Sequence, residues 1–287
     1  MEKPERSRLS PHRRDILGLA AAGAALAAIP VRAQDASLGL TGRLVQSGYA
    51  IGQTQPGGVL WVDGTMRGPV DRSGSFYVGF DRDATPNSTI EIHHGDQVQK
   101  AILAIAPTTY DIQRVDGLPQ DTVTPVDPAL LERIKREAAL KNEAFASRLD
   151  ADYFRGRFQW PLEHFIVSGH FGNQRVLNGT PASPHMGFDM AAPTGTPIHA
   201  PQKGLVVLSE TDLFYEGGLL LVDHGQGLIS MYLHQSRVIA RKGDLVEAGQ
   251  VIGEVGAKGR ATGPHLCWRL KWTDRHMDPS LMVPHSA

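Results

Sequence analysis

The sequence predicts a mainly β protein: a β-sandwich-like N-terminal domain, one linking helix and a second β-rich domain at the C-terminal end. Three observations carry that prediction. Short runs of alternating apolar and polar residues recur along both halves and end in Gly, Asp, Asn or Pro. The 31 glycines and 19 prolines favour turns over long helices. Only residues 127–149 read convincingly as a helix. A chain of 287 residues has room for one large domain or two ordinary ones, each with its own core.

Residues 1–33 read as an export signal rather than as part of the fold. Arg13 and Arg14 precede fourteen uncharged, mostly apolar residues, Ile16 to Ile29. "PVRA" follows, with small or compact residues at Val31 and Ala33, which predicts cleavage after Ala33. The paired arginines give the signal a twin-arginine character. An apolar stretch of this length is too short to span a bilayer as a helix, so no stable membrane insertion is expected after cleavage. The expected destination is the periplasm of a bacterium or its exterior. The single cysteine, Cys267, excludes an internal disulfide, so an oxidising compartment gives the fold no staple. A formal net charge of −1 provides no electrostatic grip on nucleic acid or on an anionic membrane.

The β-rich accessory domain is expected over residues 36–116. "GGVLWVDG" (57–64), "GSFYVGF" (74–80), "STIEIHHGD" (88–96) and "KAILAIAP" (100–107) alternate and are separated by turns, the pattern of a small sandwich. Residues 117–157 form a linker and helix. "DGLPQDTVTPV" is a proline-marked connector, Asp127 is a good N-cap, and Pro128 suits the first helical position. Glu132–Arg136 and Glu137–Lys141 are spaced as favourable i,i+4 pairs. The helix reads as a strut between the two domains.

From residue 158 to 287 strand-like runs alternate with Gly-rich turns: "GLVVLS" (204–209), "GLLLVDHG" (218–225), "LISMYLH" (228–234) and "QVIGEVG" (250–256). Nine of the twelve histidines lie beyond residue 160, which locates the chemistry there. Three segments stand out. "HMGFD" carries His185 and Asp189, a neutral nitrogen and a hard oxygen that suit Zn²⁺. "MYLH" ends at His234, and "GPHLCW" carries His265 and Cys267. On a strand, residues i and i+2 share a face, so His265 and Cys267 point the same way, as metal ligands would. By the same rule Tyr232 is expected to face a groove beside His234 as a substrate-binding residue, with a core position the alternative. His170, His199, His224 and His276 carry no motif and read as turn or surface residues.

Residues 158–282 resemble the M23 (lysostaphin/LytM-type) zinc peptidases that cut cell-wall peptides. The resemblance runs through "SGHFGNQRVLNGTP", "HMGFDMAAPTGTPIHAP", "VDHGQGLISMYLHQSRV" and "KGDLVEAGQVIGEVGAKGRATGPHL", in order. It implies an antiparallel β-sheet peptidase domain with a groove over one zinc ion per chain. It also implies His185 and Asp189 as ligands, with His234 and His265 as catalytic residues beside the reacting carbonyl. The family's third ligand is a second histidine in a His-Leu-His motif, and here Cys267 stands in that place. Thiolate is a strong zinc ligand, but its sulfur sits closer to the backbone than a ring nitrogen, so Cys267 is either the third ligand or a packed thiol.

Two functions follow from these readings. One is a secreted zinc endopeptidase that hydrolyses peptides of peptidoglycan. The other is a catalytically degenerate relative that binds the wall and regulates other wall hydrolases, acting through a divisome or amidase partner. "GDLVEAGQVIGEVG" also resembles the strands of biotinyl and lipoyl carriers, but no lysine stands in the expected hairpin tip, and the likeness is one of β-architecture.

Overall fold

Alternation in the N-terminal runs produces two antiparallel sheets. Thr41–Arg43, Tyr49–Gln53 and Ser75–Gly79 form one; Thr65–Pro69, Val59–Val62, Asn87–His94 and Gln97–Ala104 form the other. Leu60, Val62, Phe76, Val78, Ile90 and Ile92 are buried together between their strands. The computed structural model describes residues 38–284; the predicted export signal and its cleavage point lie outside the described residues. Among the described residues no helix is long and apolar enough to cross a membrane.

The Ser75–Gly79 strand is buried along its whole length because its outer face packs on the C-terminal half. Tyr77 lies 5.8 Å from Phe154 and 6.2 Å from Trp272, ring centre to ring centre. A Cβ at Gly79 would stand 2.5 Å from Met277 Sδ, so any larger residue would force the methionine side chain to move. The β-rich N-terminal region and the C-terminal half therefore share one apolar cluster.

The Pro128–Phe145 helix begins where its cap predicts. Asp127 accepts hydrogen bonds from the Ala129 and Leu130 amides, and Pro128 opens the first turn. The expected i,i+4 pairs do not form. Glu137 instead takes Arg133 and the Phe214 amide, and Lys141 pairs with the buried carboxylate of Glu216. The helix lies on a sheet, with Leu140, Ala144 and Phe145 packed against it, so its long side chains find partners there.

That sheet is the centre of the C-terminal half. Its strands run in the order Leu245–Val246, Gly204–Leu213, Gly217–Asp223, Leu228–Gln235, His265–Trp272, Phe188–Ala191 and Ile166–Gly169, each pairing antiparallel. Arg275–Met277 also pairs with His265–Trp272. Along His265–Trp272 the two-residue period is strict. Leu266, Trp268, Leu270 and Trp272 enter the large cluster, whereas Cys267 joins Leu221, Met231 and Leu233 on the face that the helix covers. The connecting segment is also more than a spacer. Its Ile112–Val115 stretch runs parallel to Gln174–Leu177 and extends a small sheet at one side of the C-terminal half.

Candidate metal centre

His185, Asp189 and Cys267 come together with one donor atom each, all within 4.8 Å of one another and all buried. Strand register explains two of the three. Asp189 sits directly opposite Cys267 in the neighbouring antiparallel strand, and residues so paired project to the same face. His185 lies just before that strand. Its amide donates to Asn173, and its Nδ1 donates to the His170 carbonyl at 3.2 Å, which turns Nε2 inward. Nε2 is then 3.1 Å from Asp189 Oδ1 and 3.4 Å from Cys267 Sγ. Gly187 makes this approach available: a Cβ there would stand 2.7 Å from Sγ and 3.2 Å from the His185 Nε2.

The donor set passes a test of fit for a cation. Asp189 Oδ1 is buried without a hydrogen-bond partner, although His185 Nε2 and His265 Nε2 approach it to 3.1 and 3.9 Å. An orphaned carboxylate oxygen is costly unless something positive completes it. Zinc bonds of roughly 2.0–2.3 Å in tetrahedral array place ligand atoms about 3.3–3.6 Å apart, close to the spacing found here. The Cys267 sulfur lies within 4.8 Å of the other two donor atoms, with His185 Nε2 at 3.4 Å, so its short side chain still reaches the cluster.

Electrostatics match this arrangement. Burial works to raise the Asp189 pKa, but His185, His265 and Arg175 together hold the carboxyl well below its usual range. Burial lowers the His185 pKa, with Asp189 opposing, which favours the neutral form a ligand needs. The Cys267 thiol is pushed up to about 12 by burial, with Arg269 opposing; a bound cation would reverse that by deprotonating a coordinating sulfur.

His234 and His265 stand beside the cluster with ring centres 4.7 Å apart. The Nδ1 of His234 donates to the Lys258 carbonyl at 2.8 Å, and the Nδ1 of His265 to the Gly263 carbonyl at 2.9 Å. In its neutral form each ring therefore keeps an Nε2 lone pair. Burial first, and then His265, lower the His234 pKa to about 3, so this ring is neutral at ordinary pH. Both line a cleft of ≈ 100 Å³ together with Asp189, Arg175, Arg260 and Gln113.

Tyr232 is corrected. It is fully buried on the opposite face, opposite Trp268, and does not reach the cleft. Period-two reasoning fails because the strand bulges: Gly218 pairs with Gln235 but Leu220 with Tyr232, and His234 takes a φ of 66°. The bulge turns the His234 ring to the cleft side while Tyr232 stays in the core. There its hydroxyl donates to Ser230 Oγ, which donates to His224 Nε2, whose Nδ1 donates to the Lys203 carbonyl. His224 is thus a buried, fully satisfied core residue, contrary to its expected place at a turn or surface.

Three arginines and one linker residue escaped the sequence reading. Arg175 donates to Asp189 Oδ2 at 3.0 Å, and Arg269 donates through Nε to Cys267 Sγ at 3.3 Å. Arg260 and Gln113 line the cleft. Arg269 alone carried a readable signal, since it stands two residues beyond Cys267 on one strand.

Residues 183–279 match the model of Peptidase family M23. The chain carries an M23 peptidase domain. Peptidoglycan DD-endopeptidase ShyA of Vibrio cholerae is 38% identical over 124 residues, which are 42% of this chain and 29% of that protein. DD-carboxypeptidase/endopeptidase Mpg of Neisseria meningitidis is 36% identical over 125 residues, 43% of this chain and again 29% of the relative. The chain thus spans under a third of the length of these curated relatives. A crystal structure of a putative peptidase M23 from Pseudomonas aeruginosa is 29% identical, with a TM-score of 0.62 over 84% of this chain and 95% of that one. This structural likeness extends well beyond the M23 domain and takes in the mainly β architecture on its N-terminal side.

Proposed function

We propose that the protein is an exported, zinc-dependent endopeptidase that hydrolyses peptide bonds of peptidoglycan. The observation that carries this reading is the convergence of three buried donors around an unpartnered Asp189 oxygen, beside two histidines that present free Nε2 atoms to one cleft. The names of the M23 relatives, peptidoglycan DD-endopeptidase and DD-carboxypeptidase/endopeptidase, support the substrate. Periplasmic or secreted action fits both that substrate and the predicted twin-arginine signal. Residues 36–116 serve in this reading as an accessory domain that packs on residues 158–287, with the 117–157 segment linking them.

His185, Asp189 and Cys267 would hold one zinc ion per chain. When bound, it supplies Lewis acidity toward the scissile carbonyl and lowers the pKa of a water molecule. The remaining work falls to this chain's own groups. His234 and His265 each donate from Nδ1 to a backbone carbonyl, which turns Nε2 to the cleft, where one of the two rings takes the proton released by the attacking water. The same atom then returns it to the leaving amine. Arg175 fixes the Asp189 carboxylate through Oδ2 and leaves Oδ1 directed at the centre.

The degenerate-domain reading has one observation in its favour. Cys267 is packed with Leu221, Met231 and Leu233, and its thiol is pushed up to about 12 by burial, a setting that also suits an inert core residue. Metal content and turnover separate the two. Endopeptidase action requires about one zinc per purified chain, cell-wall hydrolysis, and loss of both in His185→Ala. Metal-free protein that binds the wall without turnover, unchanged by Cys267→His, would establish the regulatory reading and overturn the enzymatic one.

A further inference from the structure

Arg175 and Arg260 line the cleft, and Arg269 stands beside the metal cluster. Arg175 is paired with Asp189, and Arg269 is bonded to the Cys267 sulfur. Arg260 has no such partner. Among the described residues it makes no ion pair, and the one hydrogen bond from its side chain goes to the Thr122 carbonyl at 3.3 Å. Glu216, whose charge both Arg260 and Arg269 feel, is paired with Lys141 through Oε1 and makes no ion pair with either arginine; its Oε2 is buried without a hydrogen-bond partner. A divalent ion held by one carboxylate and one thiolate would be neutral as a unit, so the metal site offers Arg260 no counter-charge either.

Arg260 is also held in a receiving pose. Its amide donates to the Tyr215 carbonyl at 2.9 Å, and its guanidinium lies 4.8 Å from the centre of the Tyr215 ring. Stacking on an aromatic face fixes the plane of the guanidinium and leaves its edge free for a bidentate partner. The side chain lines the same cleft as Asp189, His234 and His265. A half-buried cation with no ion pair of its own bears a desolvation cost that an arriving anion relieves. Arginine's planar fork matches a carboxylate in shape as well as charge.

We propose that Arg260 is the receptor for a carboxylate of the substrate peptide, and that the cleft selects anionic stem peptides over their amidated forms. This rests on reading the cleft as a peptide-binding site. Tyr215, in a segment whose sequence shows no specificity code, acts here as a positioning residue for the guanidinium. The carboxylate can belong to a side chain or to the free C-terminus of the peptide; the recognising chemistry is the same.

The test uses the full-length protein and three synthetic cross-linked stem peptides: unmodified, amidated at the side-chain carboxylate, and amidated at the C-terminus. Calorimetric binding and hydrolysis are measured for each. Wild type should bind the unmodified peptide roughly tenfold more tightly than one of the amidated forms, which identifies the source of the carboxylate. Arg260→Gln should bind all three alike, at the weaker level, and Arg260→Lys should keep part of the preference. The wild-type preference should shrink with added salt, a readout that needs no variant to fold. Equal wild-type affinity for all three peptides, or an unchanged preference in Arg260→Gln, would overturn the proposal. Binding with the preference but without hydrolysis would remove the enzymatic reading and leave Arg260 in its role. Hydrolysis without the preference would do the reverse.

Discussion

The two faces of the His265–Trp272 strand are built from one stretch of chain and do opposite things. Leu266, Trp268, Leu270 and Trp272 point into the large apolar cluster and are completely or almost completely excluded from solvent. His265, Cys267 and Arg269 alternate with them and carry the charge and the lone pairs. On the first face a side chain is judged by the volume it fills. On the second it is judged by which atom it presents, and the local packing leaves one carboxylate oxygen unsatisfied. The rigid first face is what allows the second to hold buried polar groups in fixed positions.

Substitutions should therefore separate cleanly by face. The largest effect is expected at Asp189, where replacement by Ala removes the carboxylate at the centre. Wall hydrolysis should fall below detection and bound metal should be lost, as followed by turnover and elemental analysis. Metal retained at wild-type stoichiometry would break the assignment of this face. Trp268→Ala should do the opposite. A loss of about 3–5 kcal/mol in chemical denaturation is expected, with bound metal per folded molecule unchanged.

Tyr232→Phe sharpens the comparison at a smaller scale. Removing the hydroxyl breaks the chain to Ser230 and His224 and should lower stability by about 1–3 kcal/mol. KM should not move, because the ring never meets the cleft; a raised KM at unchanged stability would restore its role as a substrate contact. A last effect concerns pH. Burial lowers the His224 pKa to about 4 from its ordinary 6.5. Between those values the unfolded chain binds a proton that the folded chain refuses, so stability is full above about pH 6.5 and declines as pH falls toward 4. His234, lowered to about 3, acts with the same sign. Denaturation midpoints should fall steadily across that range, and a flat profile would contradict the buried, neutral assignment.

How far the sequence could be read also divides along these lines. Alternation in "HLCWRL" is a property of local backbone geometry, so the shared direction of His265 and Cys267 was legible, and so was the Asp127–Pro128 start of the helix. The bulge at Leu233–His234 was not. It rests on a left-handed backbone at a residue other than glycine, which no local pattern announces, and it moved Tyr232 from the cleft to the core. The helix pairs failed for a related reason: Glu137 and Lys141 answer to groups on the sheet, distant in sequence. Arg175 and Arg260 are likewise brought to the cleft by strand pairing and loop closure that spacing cannot reveal.

The central claim is that Cys267 is the third donor of a metal site rather than a packed thiol, and optical absorption of the cobalt-substituted protein tests it most directly. Wild type should bind one Co²⁺ per chain and show a thiolate-to-cobalt charge-transfer band that disappears in Cys267→Ser. One bound Co²⁺ without that band, or a band that persists in Cys267→Ser, would contradict it.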